Sequence, residues 1–529
     1  MERCNPAGAL PARCSAISRR AAAALGVALV VSLVGLAAGA ALGEPGREAA
    51  ASKSAGCRGI DARRSMRPLQ SYRPEPGGVR MFAMQFKHEL RHVVTYATFR
   101  RAIDCALRRY VVPHLSKRMP NVVAFNEDIG LLTIGTGSRG QRARELIQTP
   151  ETPSCEGQEV PCQTFAALLA VSTGYADELA YYKARYFPQL NPISGIFVGA
   201  TDTFARGWMT TFSDLAKRYG VYMIGSNNQA RFRVSRDPAD IAALADPDYP
   251  KPRSVYVATD EEVYNEVFMW GPRNVRAEGP RPLRNVVASN RKVPLTPLEV
   301  TLQLTPGPST GRAAVANLRP YRVPGSEARL GFATSLPAFV YGNPPAGVNP
   351  CSDTSLYYMR CLDRLGTNVV IQDEANPGRW AGEGGRSPWQ PLEWMSSTYR
   401  AVNGPQVSFA YNVTPFLVGN LADIVFDGQS AITQRGLRGP GCHFIGNHRA
   451  LPEDPPRFRR YAGRKPRFLL KAPWVTRGSR RRLREAGAAL APDSGKRLEN
   501  DYLQTALIAD LTFPPDAGRR GCIGRPPRR

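Results

Sequence analysis

From Val79 onward, short apolar runs of strand length alternate with amphipathic helical stretches, and this alternation constrains the fold more than any other feature. NVVAF (121–125) is a wholly apolar run, and VYMIGS (221–226) follows directly on the helical stretch FSDLAKRYG (212–220). VRMFAMQF (79–86) reads as a strand and residues 97–118 as a helix. SVYVAT (254–259), EVFMW (266–270) and VSFAYNV (407–413) are further strands. An apolar strand needs cover on both faces, and helices interleaved with strands supply it, which predicts an α/β sandwich. Pro- and Gly-rich insertions near 131–165, 230–252, 300–328 and 436–495 are long for plain connections and are expected to form lids or surface embellishments. There is no internal repeat.

The N-terminus carries a second strong signal. Arg19-Arg20 precede an uncharged apolar run over residues 21–43 that contains the small triplet Ala38-Gly39-Ala40. A basic start, an apolar middle and small residues make an export signal. The run is also long enough to cross a bilayer uncleaved. Positive-inside logic then puts the rest of the chain outside the cytoplasm, secreted or anchored by residues 21–43, with membrane contact if the segment is retained. Residues 44–78 read as a polar linker, 79–515 as one domain carrying the insertions, and 516–529 as a basic tail. No second comparable apolar run occurs, so a polytopic membrane protein is excluded.

The 529 residues carry a net charge of +26. Residues 455–529 hold 19 Arg and Lys against 6 acids, including the runs Arg457-Phe-Arg-Arg460 and Arg480-Arg-Arg482. Such runs attract polyanions. No zinc-finger, RNP or helix-turn-helix signature accompanies them, so a solvated basic surface is expected and no nucleic-acid partner.

Outside the cytoplasm cysteines tend to pair. Beyond the N-terminal run there are eight: Cys57, Cys105, Cys155, Cys162, Cys351, Cys361, Cys442 and Cys522. Cys155 and Cys162 are close enough in sequence to close a small ring, and the remaining connectivity stays open. No CxxC spacing supports a metal site.

Two of these cysteines lie in NPCSDTSLYYMRCLD (349–363). With a helix starting just after Cys351, Tyr358, Met359, Cys361, Leu362 and Leu365 form one apolar stripe, and Cys361 reads as a core residue. Cys351 lies at the helix entrance among the capping residues Ser352, Asp353 and Thr354, where the helix dipole favours thiolate. A thiolate nucleophile needs a base and a stabiliser of developing negative charge. NVVAFNED places Glu127 just past a buried strand, where a carboxylate is costly unless used or paired. RKVPLTPLE places Lys292 seven residues before Glu299.

In the order Glu, Lys, Cys, these segments resemble the nitrilase, or carbon–nitrogen hydrolase, superfamily. MFAMQF is similar to that family's first strand, and NVVAFNED to the strand that ends in its base glutamate, with Asn126 where proline is usual. RKVPLTPLE resembles the lysine segment, and CSDTSLYYMRCLDRLGTNVVIQDEANP (351–377) the nucleophile segment with its helix and next strand. TFSDLAKRYGVYMIGSNN (211–228), FDGQSAI (426–432) and YLQTALIADL (502–511) resemble further segments in the family's order. The resemblance implies a four-layer α-β-β-α sandwich with several loop insertions. It implies Glu127 as general base, Cys351 as nucleophile, Lys292 and a backbone N–H near Ser352 as oxyanion stabilisers, and Glu299 as the residue orienting Lys292. A small-molecule amide or nitrile is cleaved through a thioester or thioimidate, and ammonia or an amine is released. No metal or organic cofactor is required, and a homo-oligomer of two or more copies is expected. An N-acyltransferase with the same triad and a non-catalytic surface-binding protein that kept the fold are the alternatives.

Overall fold

The computed structural model describes residues 57, 65–148, 162–249, 251–377, 390–421, 424–437, 468–472 and 502–516. They form a mixed α/β structure built on two sheets. Strands are numbered in chain order. The first sheet contains β1 (Leu69–Ser71), β2 (Val79–Gln85), β3 (Asn121–Ala124), β4 (Tyr222–Ser235), β5 (Val255–Trp270) and β6 (Val286–Arg291). The second contains β7 (Tyr321–Arg322), β8 (Arg329–Phe332), β9 (Val369–Ile371) and β10 (Tyr411–Thr414). A separate hairpin, β11 (Gly419–Leu421) and β12 (Ile424–Phe426), follows; β13 (Ala431–Gln434) and β14 (Phe468–Lys471) return to the second sheet, and β15 (Thr505–Leu511) to the first. The orders are β1-β15-β2-β3-β4-β5-β6 and β14-β13-β10-β9-β8-β7.

Where the apolar residues go explains this arrangement. Val79, Met81 and Ala83 of β2 meet Leu330, Phe332, Val369 and Val413 of the second sheet in one apolar cluster. The alternate residues Phe82 and Met84 join a larger cluster with Ile103, Leu107, Trp208 and Phe212 from helices on the other face. All seven residues of β2 are buried, because a strand covered on both faces has no solvent side to mark with polar residues. The second sheet is covered likewise: Val370 packs with Tyr358, Cys361 and Leu362 of helix Thr354–Arg364 and with Ala401 and Phe409.

Several expectations are corrected by this topology. The two runs 254–259 and 266–270 are one strand, β5, paired antiparallel along β4 with an irregularity at Ala230/Phe232. Length and charged residues at 260–262 disguised its continuity. Part of the segment read as a linker is in the sheet, since Leu69–Ser71 pairs parallel with Leu507–Ala509, and Cys57 is disulfide-bonded to Cys105. The expectation of a membrane-spanning segment finds no support in the described residues. Among the described residues no helix is long and apolar enough to cross a membrane, and residues 21–43 lie outside the described residues. The basic segments 457–460 and 480–482 and the tail beyond 516 lie outside them too.

Candidate active site

The ends of β3 and β6 and the interior of β5 meet at a buried cluster of charges. Past β3 the chain turns sharply through Asp128, whose φ is 57° and whose N–H donates to Ser226 Oγ at 3.0 Å. That turn leaves Glu127 pointing off the strand end and 3% exposed. Lys292, the first residue after β6, is held by its N–H on the Asn265 carbonyl. Its Nζ lies 2.7 Å from Glu127 Oε1 and 2.9 Å from Glu299 Oε1. Glu299 belongs to the short helix Pro297–Thr301, and its second oxygen closes a capping box by accepting the Thr296 N–H at 2.8 Å. One carboxylate therefore caps a helix and clamps the lysine at once.

Asn265, on β5, completes the cluster: its Nδ2 donates to Glu127 Oε1 at 2.8 Å and to Glu299 Oε1 at 2.7 Å. Sequence reading missed this residue. Its signal is a buried amide inside the apolar run VYNEVFMW, which needs partners. The remaining Glu127 oxygen accepts the Ala375 N–H at 2.9 Å.

The two carboxylates are pushed apart. Burial raises the Glu127 carboxyl above the usual range, with Lys292 opposing the rise and Glu299 adding to it. Burial acts on Glu299 too, but Lys292 and the Thr296 N–H outweigh it and hold it below that range. Burial alone would lower the lysine, yet the two carboxylates keep its ammonium above the ordinary lysine range. A pair of acids separated in this way is the arrangement that assigns one to proton transfer and leaves the other ionised.

Cys351 is not part of this cluster. Its sulfur is disulfide-bonded to Cys361, and it is buried among Val293, Leu318 and Tyr341 on the outer side of the second sheet. A disulfide sulfur has no thiolate to offer, so the nucleophile assignment is corrected. Ser352 is corrected with it: it is exposed, and its N–H is occupied by the Asn349 carbonyl at 2.9 Å. The stripe of Tyr358, Met359, Cys361 and Leu362 is buried as its spacing predicts. What the spacing cannot show is that Asn349 caps a short turn that folds Cys351 back onto the helix.

A different residue shares a cavity of about 420 Å³ with Glu127, Lys292 and Glu299. Ser335 follows β8, which runs parallel to β9, and precedes the 3₁₀ turn Leu336–Phe339. Its backbone lies at φ 54° and ψ −114°, a region that a residue with a Cβ adopts at a cost of about 1–3 kcal/mol. A strained serine at a strand-to-helix turn is the geometry that exposes a nucleophilic hydroxyl. Ser335 is 3% exposed, and its Oγ donates to Asn376 Oδ1 at 2.7 Å. Asn376 directly follows Ala375, whose N–H reaches Glu127, so one loop touches both residues. Behind the turn, Asp373 accepts hydroxyl protons from Ser226 and Thr334, both at 2.8 Å, and burial with the nearby Glu127 pushes its carboxyl up to about 7. The sequence signal for Ser335 is faint: LGFATSLPAF is a strand, a serine and a turn, with no glycine at the strained position.

His88 also lines the cavity. Burial and the neighbouring His92 push its imidazole down to about 3, so it is neutral and no competing base near neutral pH. HELRH (88–92) has the spacing of a zinc-binding helix, but it folds as an extended start into the 3₁₀ turn Leu90–Val93. Among the described residues no group of three or more His, Cys, Asp or Glu is arranged to hold a metal ion.

No family model matches the chain, and no curated protein matches it. Among solved structures it is similar to an amidase from Nesterenkonia sp. AN1 bearing acrylamide at its active-site cysteine, at 13% identity over 67% of this chain and 85% of that one, with a TM-score of 0.32. It is also similar to a carbon–nitrogen hydrolase from Helicobacter pylori G27, at 12% identity over 75% and 84%, with a TM-score of 0.34. Likenesses at this level add nothing to what the geometry carries.

Proposed function

We propose that this chain is a carbon–nitrogen hydrolase acting on amides, with a four-layer α-β-β-α sandwich and with the Ser335 hydroxyl as its attacking group. The observation that supports this reading is the opening of the Glu127–Lys292–Glu299 cluster and the strained Ser335 onto one cavity. Ser335 Oγ attacks the amide carbon while its proton passes to Glu127. The Lys292 ammonium stabilises the oxyanion, a contribution worth about 10²–10³ in rate for one such donor. Collapse of the intermediate breaks the C–N bond, and the departing nitrogen takes the proton from Glu127. Water, deprotonated by Glu127, then cleaves the serine ester and returns the hydroxyl. Glu299 and Asn265 act as positioning residues that hold Lys292 and Glu127. Two disulfides, Cys57–Cys105 and Cys351–Cys361, support an extracytoplasmic, oxidising setting.

The test is ammonia release from primary carboxamides by the full chain. Ser335→Ala and Glu127→Gln are expected to lose at least about 100-fold in kcat/KM, and a serine-directed fluorophosphonate to label Ser335. Full turnover by Ser335→Ala would overturn the assignment. Transfer of the acyl group to an added amine in preference to water would make the protein an acyltransferase through the same ester. Ligand binding without any turnover would leave a non-catalytic binding protein.

A further inference from the structure

Apart from the charged cluster, the cavity is lined mainly by hydrocarbon. Leu131 and Ile134 come from the turn after Gly130, Ile147 from helix Gln141–Gln148, Leu168 and Val171 from helix Cys162–Gly174, and Leu302 from the end of helix Pro297–Thr301. Arg144 is the one charged residue that the two longer helices contribute, and its guanidinium is taken up by the carbonyls of Gly135 and Gly137. A volume of about 420 Å³ is in the range of small-molecule pockets.

Three polar atoms of residues that line the cavity have no partner, the oxygens Asn228 Oδ1 and Asp128 Oδ1 and the ring nitrogen His88 Nε2, and burial with the neighbouring Glu127 holds the Asp128 carboxyl well above the usual carboxylate range. Asn228 is 2% exposed and pairs across the β4–β5 ladder with Asn265, whose amide bonds both Glu127 and Glu299. The bare oxygens and the charged cluster therefore share one end of the cavity. Buried acceptors are normally satisfied, and a ligand that brings N–H donors satisfies these.

The geometry points to a ligand in two parts: a carboxamide whose N–H groups are accepted by Asn228 and Asp128, and an extended apolar acyl chain lying along Leu131, Ile147, Leu168, Val171 and Leu302. The substrates of this site are then amides of long-chain aliphatic acids, not small polar amides. This rests on the amide-hydrolase reading above.

Calorimetric titration tests it with the full chain carrying Ser335→Gly, which accepts the positive φ and cannot form an ester. Straight-chain carboxamides from acetamide to dodecanamide are the probes. Each added methylene is expected to tighten Kd about two- to fourfold until the cavity is filled. Ala167→Trp, which adds an indole to the lining, is expected to weaken decanamide at least tenfold while leaving acetamide within twofold. The methyl ester of the same acid, which lacks the N–H donors, is expected to bind at least tenfold more weakly than the amide. A Kd independent of chain length, or an ester that binds as tightly as its amide, would overturn the inference. Chain-length-dependent binding with no ammonia release by the unsubstituted chain would defeat the hydrolase reading alone. Turnover without chain-length dependence would defeat this inference alone.

Discussion

Ser335, Glu127 and Lys292 show how much a single side chain's environment decides. Glu127 must be ionised to accept a proton, and burial has raised its carboxyl. The acid limb of kcat/KM is therefore expected above the usual glutamate pKa of about 4.3, with rate lost as pH falls through the raised value. Glu299 contributes to that rise by like-charge repulsion. Glu299→Gln removes the repulsion, so its limb is expected to move to lower pH in a pH–rate profile; an unmoved limb would show that Glu299 does not act on Glu127. Asp373 makes the opposite kind of prediction, in stability. Its folded-state carboxyl lies at about 7, above the unfolded value near 3.9, so the native state holds its proton more tightly and stability falls as pH rises between those values. Asp373→Asn is expected to flatten that slope in urea unfolding series.

Helix Thr354–Arg364 and the turn before it explain why a capped, N-terminal cysteine is not a nucleophile here. The Asp353 side chain accepts the Ser355 N–H at 2.9 Å, so the cap is real, and Asp353→Ala is expected to cost about 1 kcal/mol. The same cap leaves Cys351 close enough to Cys361 to be consumed in a bond across ten residues. Replacing both by serine is expected to cost about 2–4 kcal/mol in chemical denaturation and to leave the rate of ammonia release within about twofold, because neither lines the cavity. The wall helices are held by close approach. A Cβ on Gly174 would run into the Arg139 carbonyl, which makes Gly174→Ala an overpacking change of about 1–3 kcal/mol that also disturbs the lining helix Cys162–Gly174.

For the molecule as a whole, the first sheet is tied across its β15–β2 pairing by Arg80 on β2, whose Nε and Nη2 reach Asp510 on β15 at 2.6 and 2.9 Å. Asp510→Ala strands a buried guanidinium and is expected to cost about 3–5 kcal/mol in urea midpoint measurements. β15 is about 420 residues from β2, and nothing local in either run announces the pairing. Apolar runs such as NVVAF and VYMIGS were legible as strands because burial on both faces leaves an unbroken apolar signature. The α/β class followed from them, whereas the grouping of Glu127, Lys292 and Glu299 was expected only from the resemblance of their segments to the carbon–nitrogen hydrolase superfamily. The proposed nucleophile was not legible, because strain is a property of backbone dihedrals: Ser335 looks like any loop serine in the sequence, and only the fold between β8 and the Leu336–Phe339 turn shows its φ to be positive. The pairing of Cys351 with Cys361 was hidden for the same kind of reason, since composition and periodicity report which residues are buried, while bonds between them depend on how the turn before a helix folds. Local chemistry along the chain was enough to say which residues would be inside; the meeting of strand ends from distant segments chose which of them face one cavity.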